Sequence, residues 1–120
     1  MKLNEVYSDV RGSIFSMKGL QQNPELVVIK TNEGFARGGC IHNENEYCCV
    51  VEGRIEMHVG GVCHLMFAGD LVEVTACSPH YFVSLTDSVV LEWGPTPECN
   101  EKDAEMRAKV DQINENRKSI

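Results

Sequence analysis

A thiol, an imidazole and a carboxylate fall close together in one stretch of this 120-residue chain: Cys40, His42 and Glu46. Cys40 and His42 are two apart, so on an extended strand both side chains leave the same face. Glu46 follows a short polar connection, Asn43-Glu44-Asn45, at the head of a β-rich run from Tyr47 to Val51. A strand, a tight turn and a return strand would bring the three groups to one point. Groups of these types, converging, suit a metal ion or acid–base chemistry. Outside this stretch, His80 follows Pro79 and precedes another apolar run. A loop-end histidine with a backbone partner is the plain alternative for it.

The elements that must position these groups read as short strands with turn signals between them. Ser13 to Met17, Leu26 to Lys30 and Phe35 to His42 come first, the last interrupted by Gly38-Gly39, a pair that marks a bulge or a close backbone approach. Glu46 to Glu52, Arg54 to Val59, Val62 to Phe67, Leu71 to Thr75, His80 to Leu85 and Ser88 to Trp93 follow. Between Arg54 and Val59 the alternation puts Ile55, Met57 and Val59 on one face and Arg54, Glu56 and His58 on the other, which reads as solvated surface. His64 receives no role. Tyr47, Tyr81, Phe82 and Trp93 read as core, with Tyr81 pointing away from His80. Such a pattern predicts an antiparallel sandwich or barrel. Residues 1 to 10 are polar and carry no element signal, and Lys18 to Pro24 reads as loop. After Gly94 to Pro97, Asn100 offers a cap, with Asp103 at N3, for a helix over 101 to 116. Its apolar stripe is Met106, Val110 and Ile113.

Length and composition fit one globular domain with its own core. The formal net charge of −7 and scattered Lys and Arg argue against nucleic acid as a partner. No apolar run is long enough to span a bilayer, and MKLNEVYSDV lacks the apolar centre of a secretory signal, so the expected location is cytoplasmic with no membrane partner. Of the six cysteines none forms a C-x-x-C pair; Cys48, Cys49 and Cys63 read as small strand hydrophobes. Cys40 and Cys77 invite a functional question, and a redox pairing of the two is a minor reading.

The run Gly34 to Gly53, G-x5-C-x-H-x3-E-x6-G, resembles the first motif of the cupin superfamily, G-x5-H-x-H-x3,4-E-x6-G, with Cys40 in place of the first histidine. The second motif, G-x5-P-x-G-x2-H-x3-N, is matched at Gly69 and His80, while Thr75, Cys77 and Ser84 replace its Pro, Gly and Asn. The 15 residues between Gly53 and Gly69 fit the short gap of small cupins. The resemblance covers roughly residues 25 to 93. It implies an all-β fold, a single cupin jelly-roll barrel (residues 1–98); the C-terminal α-helix read above (99–120) is expected to pack on the barrel or on a partner. It also implies a metal set of Cys40, His42, Glu46 and His80. A thiolate in that set suits zinc, iron or nickel and disfavours magnesium or calcium.

A narrower likeness begins at Arg37. Arg37-Gly38-Gly39-Cys40-Ile41-His42 is similar to the R-G-x-H-x-H stretch of sugar-nucleotide isomerase and epimerase cupins, and Asp9-x-Arg11-Gly12 to their D-x-R-G opening. By that likeness Arg37 would grip a substrate phosphate or carboxylate, and His42, His80 and Glu46 would be the catalytic groups. The implied function is a metal-binding cupin acting on a small polar molecule, a sugar or sugar nucleotide, by isomerisation or epimerisation. A non-catalytic ligand-binding or sensor cupin, an iron-dependent dioxygenase and a metal-free epimerase are the alternatives. Cupins commonly pair through their sheets, so a homodimer is expected.

Overall fold

The computed structural model describes residues 3–17, 26–94 and 101–119. Among the described residues, twelve strands precede one helix: β1 (Leu3–Asp9), β2 (Gly12–Met17), β3 (Leu26–Thr31), β4 (Ala36–Gly38), β5 (Cys40–Ile41), β6 (Glu46–Glu52), β7 (Arg54–Val59), β8 (Val62–Phe67), β9 (Leu71–Val74), β10 (His80–Ser84), β11 (Ser88–Trp93), β12 (Glu101–Lys102) and α1 (Ala104–Lys118). One sheet runs β1-β2-β3-β11-β6-β9 and a second β4-β10-β7-β8, with β5 and β12 forming a small pair. Every pairing is antiparallel. This is the jelly-roll arrangement, as two facing sheets rather than a fully closed barrel.

Alternation along the strands builds the core. Ile29, Cys48, Val50 and Val90 from the first sheet meet Ile55, Met57, Met66 and Phe82 from the second. Burying each such side chain contributes about 1.5–3 kcal/mol. Cys48 therefore behaves as the expected small hydrophobe, but Cys63 is exposed, because its position on β8 faces away from the other sheet. Tyr47 and Trp93 also depart from expectation. They stack with centroids 5.7 Å apart as a cross-strand pair, alternating away from Glu46 and Cys48, and are only half-buried.

The N-terminal strand β1 carried no apolar alternation and was not expected; it forms because β2 offers it an open edge. The expected loop 18–24 lies outside the described residues, as does the expected Asn100 cap. The helix starts later than expected because Glu101 and Lys102 pair with Ile41 and Cys40. Asp103 becomes the N-cap, its carboxylate accepting from the Met106 N–H at 2.8 Å.

Met106, Val110 and Ile113 pack on Ala36, Tyr81 and Val83, so the expected stripe lies against the second sheet of its own chain. A polar residue completes this contact. The Asn114 side chain accepts from the Ala36 N–H at 2.7 Å and donates to the Ala36 carbonyl at 3.1 Å. Arg107 donates to the Gly38 carbonyl and Arg117 to the Glu33 carbonyl, both from α1. Residues 33 to 38 are thus gripped along their outer side by the helix. Asn114→Ala leaves a buried N–H and carbonyl on Ala36 without partners, so it is expected to cost about 2–3 kcal/mol in urea unfolding. Asn116→Ala, at an exposed position, should change stability by less than about 0.5 kcal/mol. Equal effects of the two would show that Asn114 does not anchor the helix.

Candidate functional site

The core fills only part of the space between the sheets. The remainder is lined by polar side chains whose inward direction follows from strand alternation. Glu46 shares a face with Cys48 and Val50, His80 with Phe82, and Glu92 with Val90. On β4 the alternation divides the two neighbours: Ala36 meets the helix, and Arg37 points inward.

Gly38 and Gly39 let the chain leave β4 and reach His42. Gly38 has φ +133° and lies so close to β10 that a Cβ would fall 2.6 Å from Tyr81 Cα. The Gly39 N–H donates to the His80 carbonyl at 3.0 Å. The paired glycines thus mark a close approach, as their place inside a strand run suggested. Beyond the turn, the Cys77 N–H donates to the His42 carbonyl at 2.7 Å, and the Ala76 N–H to Asn45 Oδ1 at 2.9 Å. These bonds stitch the loop carrying His42 to the loop before His80.

His42, Glu46 and His80 come together. Glu46 Oε2 lies 3.2 Å from His80 Nε2 and 3.5 Å from His42 Nε2, with the carboxylate side chain only 5% exposed. His80 Nδ1 faces the Ser78 carbonyl at 3.0 Å. A carbonyl only accepts, so Nδ1 carries a proton and Nε2 is the atom turned toward Glu46. Glu46 Oε2 and His42 Nδ1 are buried without a hydrogen bond of good geometry. Nε2 of His80 therefore meets the carboxylate at ion-pair distance without satisfying it.

These residues fit a divalent metal in type and in direction. A buried, under-satisfied carboxylate oxygen faces two imidazoles, one of them oriented from behind by a backbone carbonyl. The two imidazoles are more widely spread than a closed ligand set, since the three groups do not all fall within 4.8 Å of one another.

Cys40 departs from the expected ligand set: it is disulfide-bonded, so it offers no thiolate in this form. The pairing of β5 with β12, which places Lys102 opposite Cys40, brings the segment after the β region alongside it. Cys77 is a free thiol, so a disulfide between Cys40 and Cys77 is also absent.

The sequence reading missed Glu92. Its carboxyl lies beside that of Glu46, across from Cys48 on the paired strand. Burial, then the Glu46 carboxylate, push Glu92 well above the usual carboxylate range. Burial also disfavours an ionised Glu46, but the polar contact of His80 and Glu92 and the charges of His80 and His42 outweigh it and hold Glu46 low. Of the two carboxyls, Glu92 is thus the one shifted toward its protonated form. Burial disfavours a charged His80, yet the close approach and attraction of the Glu46 carboxylate and the bond to the Ser78 carbonyl raise it. The clue lay in alternation: a glutamate in register with Val90 inside an apolar strand.

Arg37 is buried. Its Nε donates to Thr31 Oγ1 at 2.8 Å and its Nη2 to the Lys30 carbonyl at 3.2 Å. Burial, then the like charge of Arg11, push it down to about 10. Arg11 is itself paired with Asp9 at 2.8 Å. The two stretches singled out by their likeness to sugar-nucleotide cupins therefore meet in space.

Cys77 has φ +66° and is the one non-glycine residue with positive φ among the described residues. It stands where the second cupin motif carries glycine. Cys77→Gly is expected to raise stability by about 0.5–1 kcal/mol by removing the left-handed strain. A drop in the urea midpoint would mean that side-chain contacts of Cys77 outweigh that strain.

A pH dependence follows as well. His80 is raised above the ordinary histidine value of 6.5, so its stabilising contribution is fully present below 6.5 and lost as pH rises through its raised value. Glu92, raised from 4.5, acts in the same sense over a window beginning lower. Metal-free protein should therefore lose stability as pH rises from the ordinary histidine value of 6.5 through the raised one, and Glu46→Gln should make that loss shallower. An unchanged slope in the variant would remove Glu46 as its source.

Comparison with known proteins agrees with this fold. No curated protein matches the sequence. Among solved structures, the capsular polysaccharide assembling protein CapF from Staphylococcus aureus superposes with a TM-score of 0.71 at 19% identity, over 86% of this chain and 32% of that one. The chain therefore spans about a third of CapF. KdgF from Halomonas sp. gives a TM-score of 0.62 at 20% identity, covering 82% of this chain and 88% of that one. An RmlC-like cupin from Shewanella frigidimarina gives 0.63 at 21% identity, covering 81% and 86%. No helix among the described residues is long and apolar enough to cross a membrane. The Cupin domain family matches residues 27–93, more than half of the sequence, and the chain belongs to that family.

Proposed function

We propose that this cupin binds a small polar molecule of the sugar or sugar-nucleotide class between its sheets and moves protons on it, as an isomerase or epimerase does. The observation that carries this reading is Glu46 Oε2, buried and under-satisfied between His42 Nε2 and His80 Nε2. With Cys40 set aside, His42, Glu46 and His80 are the residues that would hold a divalent transition metal, zinc, iron or nickel. When bound there, such an ion supplies Lewis-acid polarisation of a substrate carbonyl or hydroxyl.

The remaining roles belong to the chain itself. Glu92 keeps a proton beside Glu46 and is placed to donate it or take one back. Arg37, held by Thr31 and the Lys30 carbonyl, keeps a fixed cation inside the fold that can pair with a substrate phosphate or carboxylate. The apolar core beside these groups keeps water out and strengthens both interactions. The structural resemblance to a capsular polysaccharide assembling protein supports the sugar class.

A second reading rests on the same three residues. Two histidines and one carboxylate are the set that non-haem iron(II) oxygenases use, so an iron-dependent dioxygenase is the competing assignment.

Elemental analysis of untagged wild type and His42→Ala is the direct test. The expected result is a wild-type metal content that falls by one equivalent per chain in the variant. Retention of the full content in His42→Ala, or no uptake from added zinc, iron or nickel, removes the metal reading. Metal-loaded protein is then incubated with sugars and sugar nucleotides in deuterated water. Deuterium incorporation at a carbon supports proton-transfer chemistry; binding without incorporation assigns a non-catalytic binding protein, and oxygen consumption assigns the dioxygenase.

A further inference from the structure

Strand β7 presents a second set of ligand-type side chains on the opposite side of its sheet. Ile55 and Met57 enter the core, so Glu56 and His58 face outward. Across the β7–β8 hairpin, His58 stands directly opposite Cys63. The ligand atoms of Glu56, His58 and Cys63 all lie within 4.8 Å of one another, the one such group among the described residues. His58 Nε2 is 2.6 Å from Glu56 Oε1. Cys63 is a free, exposed thiol.

The imidazole is held rather than solvated. Its ring lies flat on Tyr81, with centroids 4.4 Å apart and planes 2° from parallel. Tyr81 is fixed in turn within the cluster of Ala36 and Val110 beneath the helix. A solvated polar face would leave His58 free to choose its rotamer. Here the ring plane is set by the stack and the adjacent carboxylate and thiol share its edge.

We propose that Glu56, His58 and Cys63 form a second metal site, outside the inter-sheet space, for a borderline-soft divalent transition metal, zinc foremost. A thiolate with an imidazole selects against magnesium and calcium. Three protein ligands leave a fourth tetrahedral position for water or a small anion. On binding, the Cys63 S–H bond breaks and its proton passes to solvent. The sulfur electron pair goes to the metal. The proton on His58 Nε2, which now bridges to Glu56, leaves through solvent while Nδ1 takes one up, so the imidazole stays neutral and the freed Nε2 lone pair and the Glu56 oxygen each bind the metal. The metal would clamp β7 to β8 across the Gly60-Gly61 turn.

Cobalt(II) is the probe, because only a thiolate ligand adds a sulfur-to-cobalt charge-transfer band. Full-length, metal-free protein is titrated with Co2+. The expected band saturates at one equivalent in Glu46→Gln and by two in wild type, where the inner group also takes the ion; it is lost in Cys63→Ser, and requires at least about tenfold more Co2+ in His58→Ala. It persists in Glu46→Gln, which alters the inner group instead. Cys63 is exposed, so its serine variant should fold as wild type. As a second readout, zinc should raise Tm in the Glu46→Gln background and not in Glu46→Gln/Cys63→Ser. Absence of the band in wild type, its survival in Cys63→Ser, or its loss in Glu46→Gln with zinc-induced stabilisation also gone, would each overturn the proposal.

Discussion

A carboxylate buried between two sheets is the constraint around which the interior is arranged. Removing an ionised group from water is costly unless opposite charge and hydrogen bonds offset it. Glu46 meets that requirement incompletely: Glu92 supplies a proton-bearing partner and His80 an approaching imidazole, but one oxygen stays under-satisfied. A cation in that position, whether a proton shared with His80 or a metal, completes the balance. The polar region exists because the apolar cluster stops short of it, with Val90 and Glu92 on the same face of one strand marking the change.

The helix governs this region without touching its chemistry. Along β4, consecutive residues serve the two sides of one sheet. Ala36 is bonded from outside through Asn114, and Arg37 is placed inside against Thr31. The next two residues, Gly38 and Gly39, turn the chain toward His42. The position of an interior guanidinium and of one imidazole is therefore tied to an exterior helix contact. This gives the C-terminal segment a role in preorganising the interior, since side chains locked from behind hold their geometry.

Much of this was legible in the sequence. Six strands from β6 to β11 follow alternation or apolar runs bounded by turn residues, and their ends fall within a residue or so of expectation. His42, Glu46 and His80 were legible through motif spacing, and their convergence follows from it. Three things were hidden. β1 lacks an apolar face because it is exposed along its whole length, so no buried side imposes an alternation. Glu92 carries no motif, since its role comes from the neighbour that strand pairing gives it. The state of Cys40 depends on β5 meeting β12, a contact between short segments that no local pattern announces. His58 was legible as an outward residue, but its company across the hairpin became visible only with the register.

The bond between Asn114 and Ala36 has a consequence for how copies of the molecule meet. β4 is the terminal strand of its sheet, and a terminal strand normally offers unpaired amides to any passing chain. Here a side-chain amide imitates the missing neighbour, taking both the donor and the acceptor of Ala36. The helix above it bars the approach of a further strand. Sheet extension between molecules, whether in ordered assembly or in misassembly, is thereby directed away from this edge and toward the opposite one at β8, where the hairpin remains uncovered.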